Sequence, residues 1–594
     1  VHLLMSDFNR YVTTNPGTKI TRSRFDMSHR HLTTLNAGSL YPIARWEVLP
    51  SDTFTIDLSI VARMQTPIHP VMDNCYLDVF FFFVPNRLVW EHWKEFMGES
   101  TDGFLQDTEY EEPHIIFGDP VPKGSIYDHF EIPQGYVSAD DSLGPSDLPI
   151  RSYGLIWNEW FRDQNVSPEL FIDKSDSNTI LSTIRVSDND LGDLTYGILG
   201  DQESWFSEGQ RLADSLGYTM VNSWKHGRPL PVAKYHDLFT SALPLPQRGP
   251  AVALPLSAIY NDGLPVLTKE SLVPLNYNED GFIDSSYLKV NSPSDVADAY
   301  GTYNLSMMYG EVGFTSGSTG TGNYTEGIFP TNLWADASTA SISIEVFRQA
   351  YAMQRLFERE ARSGSRYTEL IRSAFGVTSP DARQQRPELI GLRRIPITMA
   401  QVVQNSATDE TSPQGNTAAY SLTSDKSSYC TYSSTEHGNI IALACIRTDH
   451  TYQQGLSKDW TRRRRFDYYD PVFANLGEQP IKVSELYAFG TKEEQNAVFG
   501  YQEAWYEYRN KTSKITGELS SLYAQSLDVW HYGDEFMSAP TLSPEFIYET
   551  RENLDRTLAV DSNTADQFLA DFYFGTVVTR PLPLYSVPGL SGHF

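Results

Sequence analysis

Asp73-Asn-Cys-Tyr-Leu-Asp-Val-Phe-Phe-Phe-Phe-Val-Pro-Asn-Arg-Leu-Val-Trp-Glu-His-Trp-Lys-Glu-Phe-Met97 is the stretch whose reading decides the fold. Cys75, Leu77 and Val79 alternate with Tyr76 and Asp78, the period of a strand with one apolar and one polar face. At Phe80 the alternation stops. Phe80, Phe81, Phe82 and Phe83 are apolar on both faces, and such a strand needs cover on both sides. Pro85 ends the ladder because it has no N–H to give. Asn86 is a suitable cap for a following helix, on which Val89, Trp93 and Phe96 share a face and Gly98 closes the last turn. Phe80, Phe81, Phe82, Phe83, Trp90 and Trp93 are thus candidate core or interface aromatics. Their cover comes from elsewhere in the chain or from another copy of it.

Other segments extend the β pattern. After the turn signal Leu49-Pro-Ser-Asp52, Phe54, Ile56, Leu58, Ile60, Ala62 and Met64 point one way while Thr53, Thr55, Asp57, Ser59 and Arg63 point the other. This predicts a long strand with one wet face, antiparallel in setting. Asn439 to Arg447 is apolar on both faces and reads as a central strand, and Phe568, Ala570, Phe572 and Phe574 line one side of another. Helical periodicity is clearest from Ile344 to Arg362, with Phe347, Ala350, Tyr351, Phe357 and Ala361 in a stripe and Glu358 placed to pair with Arg362. A short aromatic helix is expected over 149–163. Residues 1–45, with no helical period, read as an N-terminal arm, either solvated or docked on a neighbour or on nucleic acid. Residues 46–594 read as one β domain with insertions at about 99–235 and 250–335 and an extended Pro-rich tail at 581–594.

Composition narrows the function classes. The chain has 594 residues, a formal net charge of −29, and 13% aromatic residues. So acidic a surface argues against nucleic acid as the partner of the whole molecule, leaving room for a local basic patch. Three scattered cysteines, Cys75, Cys430 and Cys445, form neither a disulfide framework nor a zinc motif and favour folding in a reducing compartment. No apolar run is long enough to span a bilayer. No His is followed by Glu and no Gly by Lys, which removes the zinc-protease helix and the phosphate-binding P-loop; a nucleophile elbow is also missing. No catalytic residue, cofactor or metal site is therefore assigned. The surplus of Tyr, Trp and Phe suits a protein with extensive interfaces as well as a loop-rich β protein.

Two local features stand out. Trp460-Thr-Arg-Arg-Arg-Arg-Phe466 concentrates Arg462, Arg463, Arg464 and Arg465 between aromatics. These guanidinium groups either grip phosphates on an inner surface or pair with the abundant carboxylates, within or between subunits; the acidic balance favours the second. Ser316, Gly317, Ser318, Thr319 and Gly320 have the composition of a flexible loop tip.

Taken together, blocks in order resemble the major capsid proteins of microviruses, specifically the gokushovirus branch. The opening stretch carries the likeness, as do Phe25-Asp-Met-Ser-His29, Leu155-Ile-Trp-Asn-Glu-Trp-Phe-Arg-Asp-Gln-Asn165, and His236 to Gly249. Ser365 to Arg383, Leu443 to Arg465, Phe499 to Arg509, Ser513 to Gly517 and Ser526 to His531 continue it. The resemblance runs from about residue 20 to the C-terminus, with 99–150 and 166–230 unmatched. It implies a mainly β fold, a single jelly-roll β-barrel with large loop and helical insertions. Many copies would form a T=1 icosahedral shell around circular single-stranded DNA in a bacterial virus, assembled in the host cytoplasm. It also implies a small basic DNA-binding partner, and a protrusion that meets a host-cell receptor, placed at about 250–335 with 166–230 as second choice. The alternative is a carbohydrate-binding or glycoside-hydrolysing jelly roll of a viral spike, motivated by the aromatic loops and surplus carboxylates.

Overall fold

The computed structural model describes residues 22–99, 110–138, 144–181, 227–249, 344–363, 366–378, 380–403, 405 and 417–585, with short strands between 266 and 335. The chain divides into two units, 1–246 with 360–594, and 247–359. In the second, Asn304–Met308 and Glu311–Thr315 form an antiparallel pair. The candidate tip Ser316–Gly320 lies outside the described residues.

The larger unit is built on two antiparallel sheets. Its strands are β1 (Ser23–Asp26), β2 (His29–Leu35), β3 (Tyr41–Val48), β4 (Thr53–Met64), β5 (Cys75–Pro85), β6 (Glu388–Pro396), β7 (Thr423–Ser433), β8 (Gly438–Thr448) and β9 (Phe568–Arg580). The first sheet runs β2–β9–β4–β7, with β1 also pairing along β9, and the second runs β6–β5–β8–β3. The clearest strand of the sequence behaves as its alternation demands. Phe54, Ile56, Leu58, Ile60, Ala62 and Met64 of β4 are all buried, while Asp57, Val61 and Arg63 face solvent. β4 and β5 are consecutive and antiparallel in setting, yet they lie in different sheets. The Pro-containing link between them crosses from one sheet to the other, because Pro67 and Pro70 deny it the donors of a hairpin ladder.

The inner faces of both sheets share one core. Leu58, Ile60, Phe572 and Phe574 from the first sheet meet Leu77, Val79, Phe81, Phe83, Ile440 and Ala442 from the second. The other face of the second sheet, carrying Phe82, Val84, Ile441, Leu443 and Cys445, is covered by a second core. That cover comes from the same chain, from residues between β5 and β6: Ile115, Phe117, Ile126, Tyr127, Tyr153, Ile156, Trp157, Leu230 and Val232. β5 and β8 are therefore central strands buried on both faces, which is why their sequences lose the alternation. Phe81 and Phe82 are fully buried, Phe83 is 2% exposed and Trp90 0%, with the Trp90 indole donating to Asp176 at 2.7 Å. Phe80 and Trp93 are half-buried against the same second core. Within one chain both faces of β5 are closed over Phe81, Phe82 and Phe83, while Phe80 and Trp93 keep part of their surface open.

Several local expectations differ. Part of the expected arm 1–45 is strand: it supplies β1, β2 and the first half of β3. In His29-Arg-His-Leu-Thr-Thr-Leu35 only Leu35 is buried, so a paired strand carries almost no apolar signal. Asp78, expected on a wet face, is 1% exposed and accepts from Arg394 Nε at 3.0 Å, from Tyr235 Oη at 2.8 Å, and from Arg447. Asn86 does not cap a helix with its side chain. Its Oδ1 accepts from Asn439 at 3.1 Å, and the chain makes only a 3₁₀ turn, Asn86–Leu88, and one helical turn, Trp93–Phe96. Gly98, at φ 98°, does lie in the left-handed region just past that turn. Helix Leu148–Ile156 forms as expected but widens into a π turn at Trp157–Phe161. On helix Ile344–Ser363 the stripe residues Phe347 and Tyr351 are exposed. Arg362 pairs with Glu478 rather than with Glu358, and Glu358 accepts from Gln354 at 2.9 Å.

An ionic clasp secures the long loops to the sheets. His450, just past β8, is buried with Nδ1 2.9 Å from Asp534 and Nε2 2.8 Å from Glu549. Lys234 Nζ stands 3.6 Å from Asp534, and Thr448 Oγ1 donates to Glu549 at 2.8 Å. Burial disfavours the imidazolium, but the carboxylates of Glu549 and Asp534 outweigh it and push its pKa up to about 10. Asp534, also buried, is held well below the usual carboxylate range by Lys234 and His450.

Candidate interaction surface

The arginine run sits on a loop-rich shelf, fixed by a third core in which Tyr452, Ile481, Val483, Leu486, Phe499 and Tyr506 pack with Phe239 and Phe546. Strands Glu478–Lys482 and Val498–Glu503 pair antiparallel beneath it. The shelf itself is made of single 3₁₀ turns, each stopped by its own chemistry. Asp470 accepts from Val472 N at 2.9 Å ahead of Pro471, which starts the next turn without needing a donor. Asp467 accepts from the backbone N–H of Arg463 at 2.8 Å and of Arg464 at 2.7 Å, and those two bonds hold its carboxyl below the usual range. Trp505, at φ 65°, turns the chain so that its indole donates to the Phe473 carbonyl at 2.8 Å.

The four arginines do not share one role. Arg462 is an internal anchor: Nη2 donates to Glu507 at 3.1 Å, and the guanidinium lies 4.5 Å from the Tyr508 ring centroid. Lys458 adds a second cation to Glu507 at 3.7 Å and lies over Tyr506, whose hydroxyl donates to buried Glu485 at 2.7 Å. For Arg462, then, the ion-pair reading is the observed one. Arg463, Arg464 and Arg465 are exposed and held through their backbones: Asp467 accepts from the N–H of the first two, and the Arg465 carbonyl accepts from Tyr468 N at 3.3 Å. Around them stand Trp460 at 78% exposure, Phe466 at 70%, and the exposed Tyr468, Tyr469 and Tyr508. Single-residue reading found the arginines and the flanking Trp460 and Phe466. It missed Tyr468 and Tyr469, two and three residues past Phe466, and Tyr508, which only folding brings alongside.

Large exposed aromatic surface thus lies next to three guanidinium groups that form no ion pair among the described residues, the composition found at interaction surfaces. Residues 13–590 match the family described as capsid protein (F protein). The chain belongs to this capsid protein family. It is 35% identical to the capsid protein VP1 of Chlamydia phage 1 over 97% of this chain and 96% of that protein. It is equally 35% identical to capsid protein VP1 of Spiroplasma virus 4, over 97% and 96%, and to capsid protein VP1 of Bdellovibrio phage phiMH2K, over 98% and 97%. A capsid protein of a bacterial virus acts as a structural subunit in a homo-oligomeric shell, so the virion is its place and it is not an enzyme. The carbohydrate-hydrolysing alternative is set aside accordingly. All three cysteines are free and buried. Among the described residues no group of His, Cys, Asp and Glu could hold a metal ion, and no helix is long and apolar enough to cross a membrane.

Proposed function

We propose that the larger unit is a single jelly roll and that this chain is the repeating subunit of a T=1 icosahedral shell enclosing circular single-stranded DNA. One observation carries the reading: the strand orders β2–β9–β4–β7 and β6–β5–β8–β3. Number the strands β2 to β9 by the letters B to I, and these orders become B-I-D-G and C-H-E-F. That is the arrangement reached when a chain folds as two Greek keys into two sheets, the architecture of many viral capsid subunits. The partners proposed for the shell are the packaged DNA, a small basic protein on that DNA, and a host-cell receptor, with assembly in the host cytoplasm. Electron microscopy of purified protein tests the reading. Uniform closed particles are expected; a stable monomer that never assembles would sink it.

Within that reading the exposed shelf of Trp460, Arg463, Arg464, Arg465 and Phe466 faces the genome. Guanidinium groups meet phosphates and the rings offer platforms for unpaired bases, a combination that suits a single strand and reads no sequence. Residues 250–335 are proposed as the outward protrusion, supported by their falling within a unit of their own. Deleting Ser316–Gly322 should leave particles intact and impair attachment to the host; loss of assembly would refute an external role.

A further inference from the structure

The larger unit also holds a cleft of about 840 Å³, remote in the sequence from the arginine shelf. It lies between the end of the π turn at Phe161, the segment Val232–His236, and the ends of β6 and β8. Its walls carry Arg162, Lys234, Arg366, Arg394 and Arg447. The Nε of Arg162, of Arg366 and of Arg447 are all buried without an acceptor. Arg162 uses Nη1 on the Ser167 carbonyl at 2.9 Å and makes no ion pair among the described residues. Burial draws its guanidinium below the usual range, and the positive charge of Arg366 adds to this. Arg366 is committed on its other side, with Nη2 3.0 Å from the carbonyls of Asn158 and of Arg162.

The opposite wall is equally fixed. Arg394 and Arg447 lie 4.0 and 4.2 Å from the Tyr235 ring centroid and both hold Asp78. The three carboxylates on the cleft are spoken for: Asp163 by Asn165 N at 2.8 Å, Glu369 by Arg366 at 3.4 Å, and Asp449 by Asn74 Nδ2 at 3.0 Å. The cleft thus presents the buried Nε–H groups of Arg162, Arg366 and Arg447, each without an acceptor, and of these three arginines Arg162 alone makes no ion pair among the described residues. Guanidinium forks match oxyanions, and phosphate above all. The volume falls in the range of small-molecule sites and exceeds what an inorganic ion fills.

We propose that this cleft binds the phosphate group of a nucleotide-sized ligand, with Arg162 as the principal contact. Calorimetric titration of the purified full chain with deoxyadenosine monophosphate, inorganic phosphate and acetate at constant ionic strength tests it. The nucleotide should bind saturably at one site per chain and acetate should not. Arg162→Gln should weaken binding at least tenfold without moving the melting temperature, and Arg162→Lys should recover part of it. Arg463→Gln, on the separate shelf, should bind as wild type. Should Arg162→Gln fail to fold, Arg394→Gln, whose side chain is half exposed, is expected to weaken binding in its place. Inorganic phosphate binding as tightly as the nucleotide would support the site with free phosphate as the source. Absence of saturable binding, acetate equal to phosphate, or loss of binding in Arg463→Gln alone would overturn the proposal.

Discussion

Replacing His450 by Gln tests the buried clasp that joins β8 to the loops carrying Asp534 and Glu549. The imidazole side chain is 2% exposed and stands between two carboxylates, so its removal leaves Asp534 with Lys234 at 3.6 Å and Glu549 with only the neutral donors of Thr448. Breaking a buried ion pair from one side costs about 3–5 kcal/mol. The unit concerned has roughly 480 residues, and an unfolding entropy near 2.1 cal/mol/K per residue makes about 1 kcal/mol equal to one degree. His450→Gln should therefore melt about 3–5 °C below wild type at pH 6 in calorimetry at fixed scan rate. The pH dependence follows from the sign of the shift. His450 has its folded pKa raised from 6.5 to about 10, so its contribution is fully present below 6.5 and is lost as pH rises through about 10. The gap between wild type and variant should narrow steadily over that window and close above it. A gap that stays constant from pH 6 to pH 10.5 would refute the imidazolium clasp.

Phe82→Ala should cost about 3–5 kcal/mol, because the ring is fully buried in the second core, whereas Leu569→Ala, half exposed on the outer face of the first sheet, should stay within about 0.5 kcal/mol. Equal effects in denaturant melts would contradict the two-sided burial of β5. Asp78→Asn should destabilise by about 3–5 kcal/mol by stripping Arg394 and Arg447 of their shared carboxylate; an unchanged melting curve would show that the pair is solvated. The arginine run should split. Arg462→Gln should lose about 1.5–3 kcal/mol of stability with its bond to Glu507. Joint replacement of Arg463, Arg464 and Arg465 by Gln should leave stability alone and lower the salt slope for single-stranded DNA by about 2, read by fluorescence anisotropy. An unchanged slope would remove those residues from the DNA contact.

Legibility in the sequence followed burial. β4 and β9 could be read residue by residue because one face of each is buried and the other is not, so alternation survives into the sequence. β5 and β8 were legible as doubly covered strands from their unbroken apolar runs, but nothing local says which residues do the covering. That role falls to residues within 110–138, 144–181 and 230–233; apart from the helix expected over 149–163, this is acidic, loop-like sequence whose apolar residues are too scattered to show a period. β1 and β2 escaped notice for the opposite reason. Their side chains are mostly half or fully exposed, and they are strands because β9 offers them a ladder. Asp78 shows the limit for charge: a carboxylate in alternating sequence reads as solvent-facing until its partners from β6, β8 and Tyr235, hundreds of residues away, are known. In the arginine shelf the charge cluster was plain, while the division between an anchored Arg462 and three exposed neighbours depends on Glu507, a non-local contact.

The most direct test of the account is a particle reconstruction from the purified protein at near-atomic resolution. It should show a T=1 shell in which each subunit has sheets ordered β2–β9–β4–β7 and β6–β5–β8–β3, with Phe82 covered by residues of its own chain. A particle of different subunit number, or a shell in which a neighbouring subunit supplies the cover over Phe82, would contradict it.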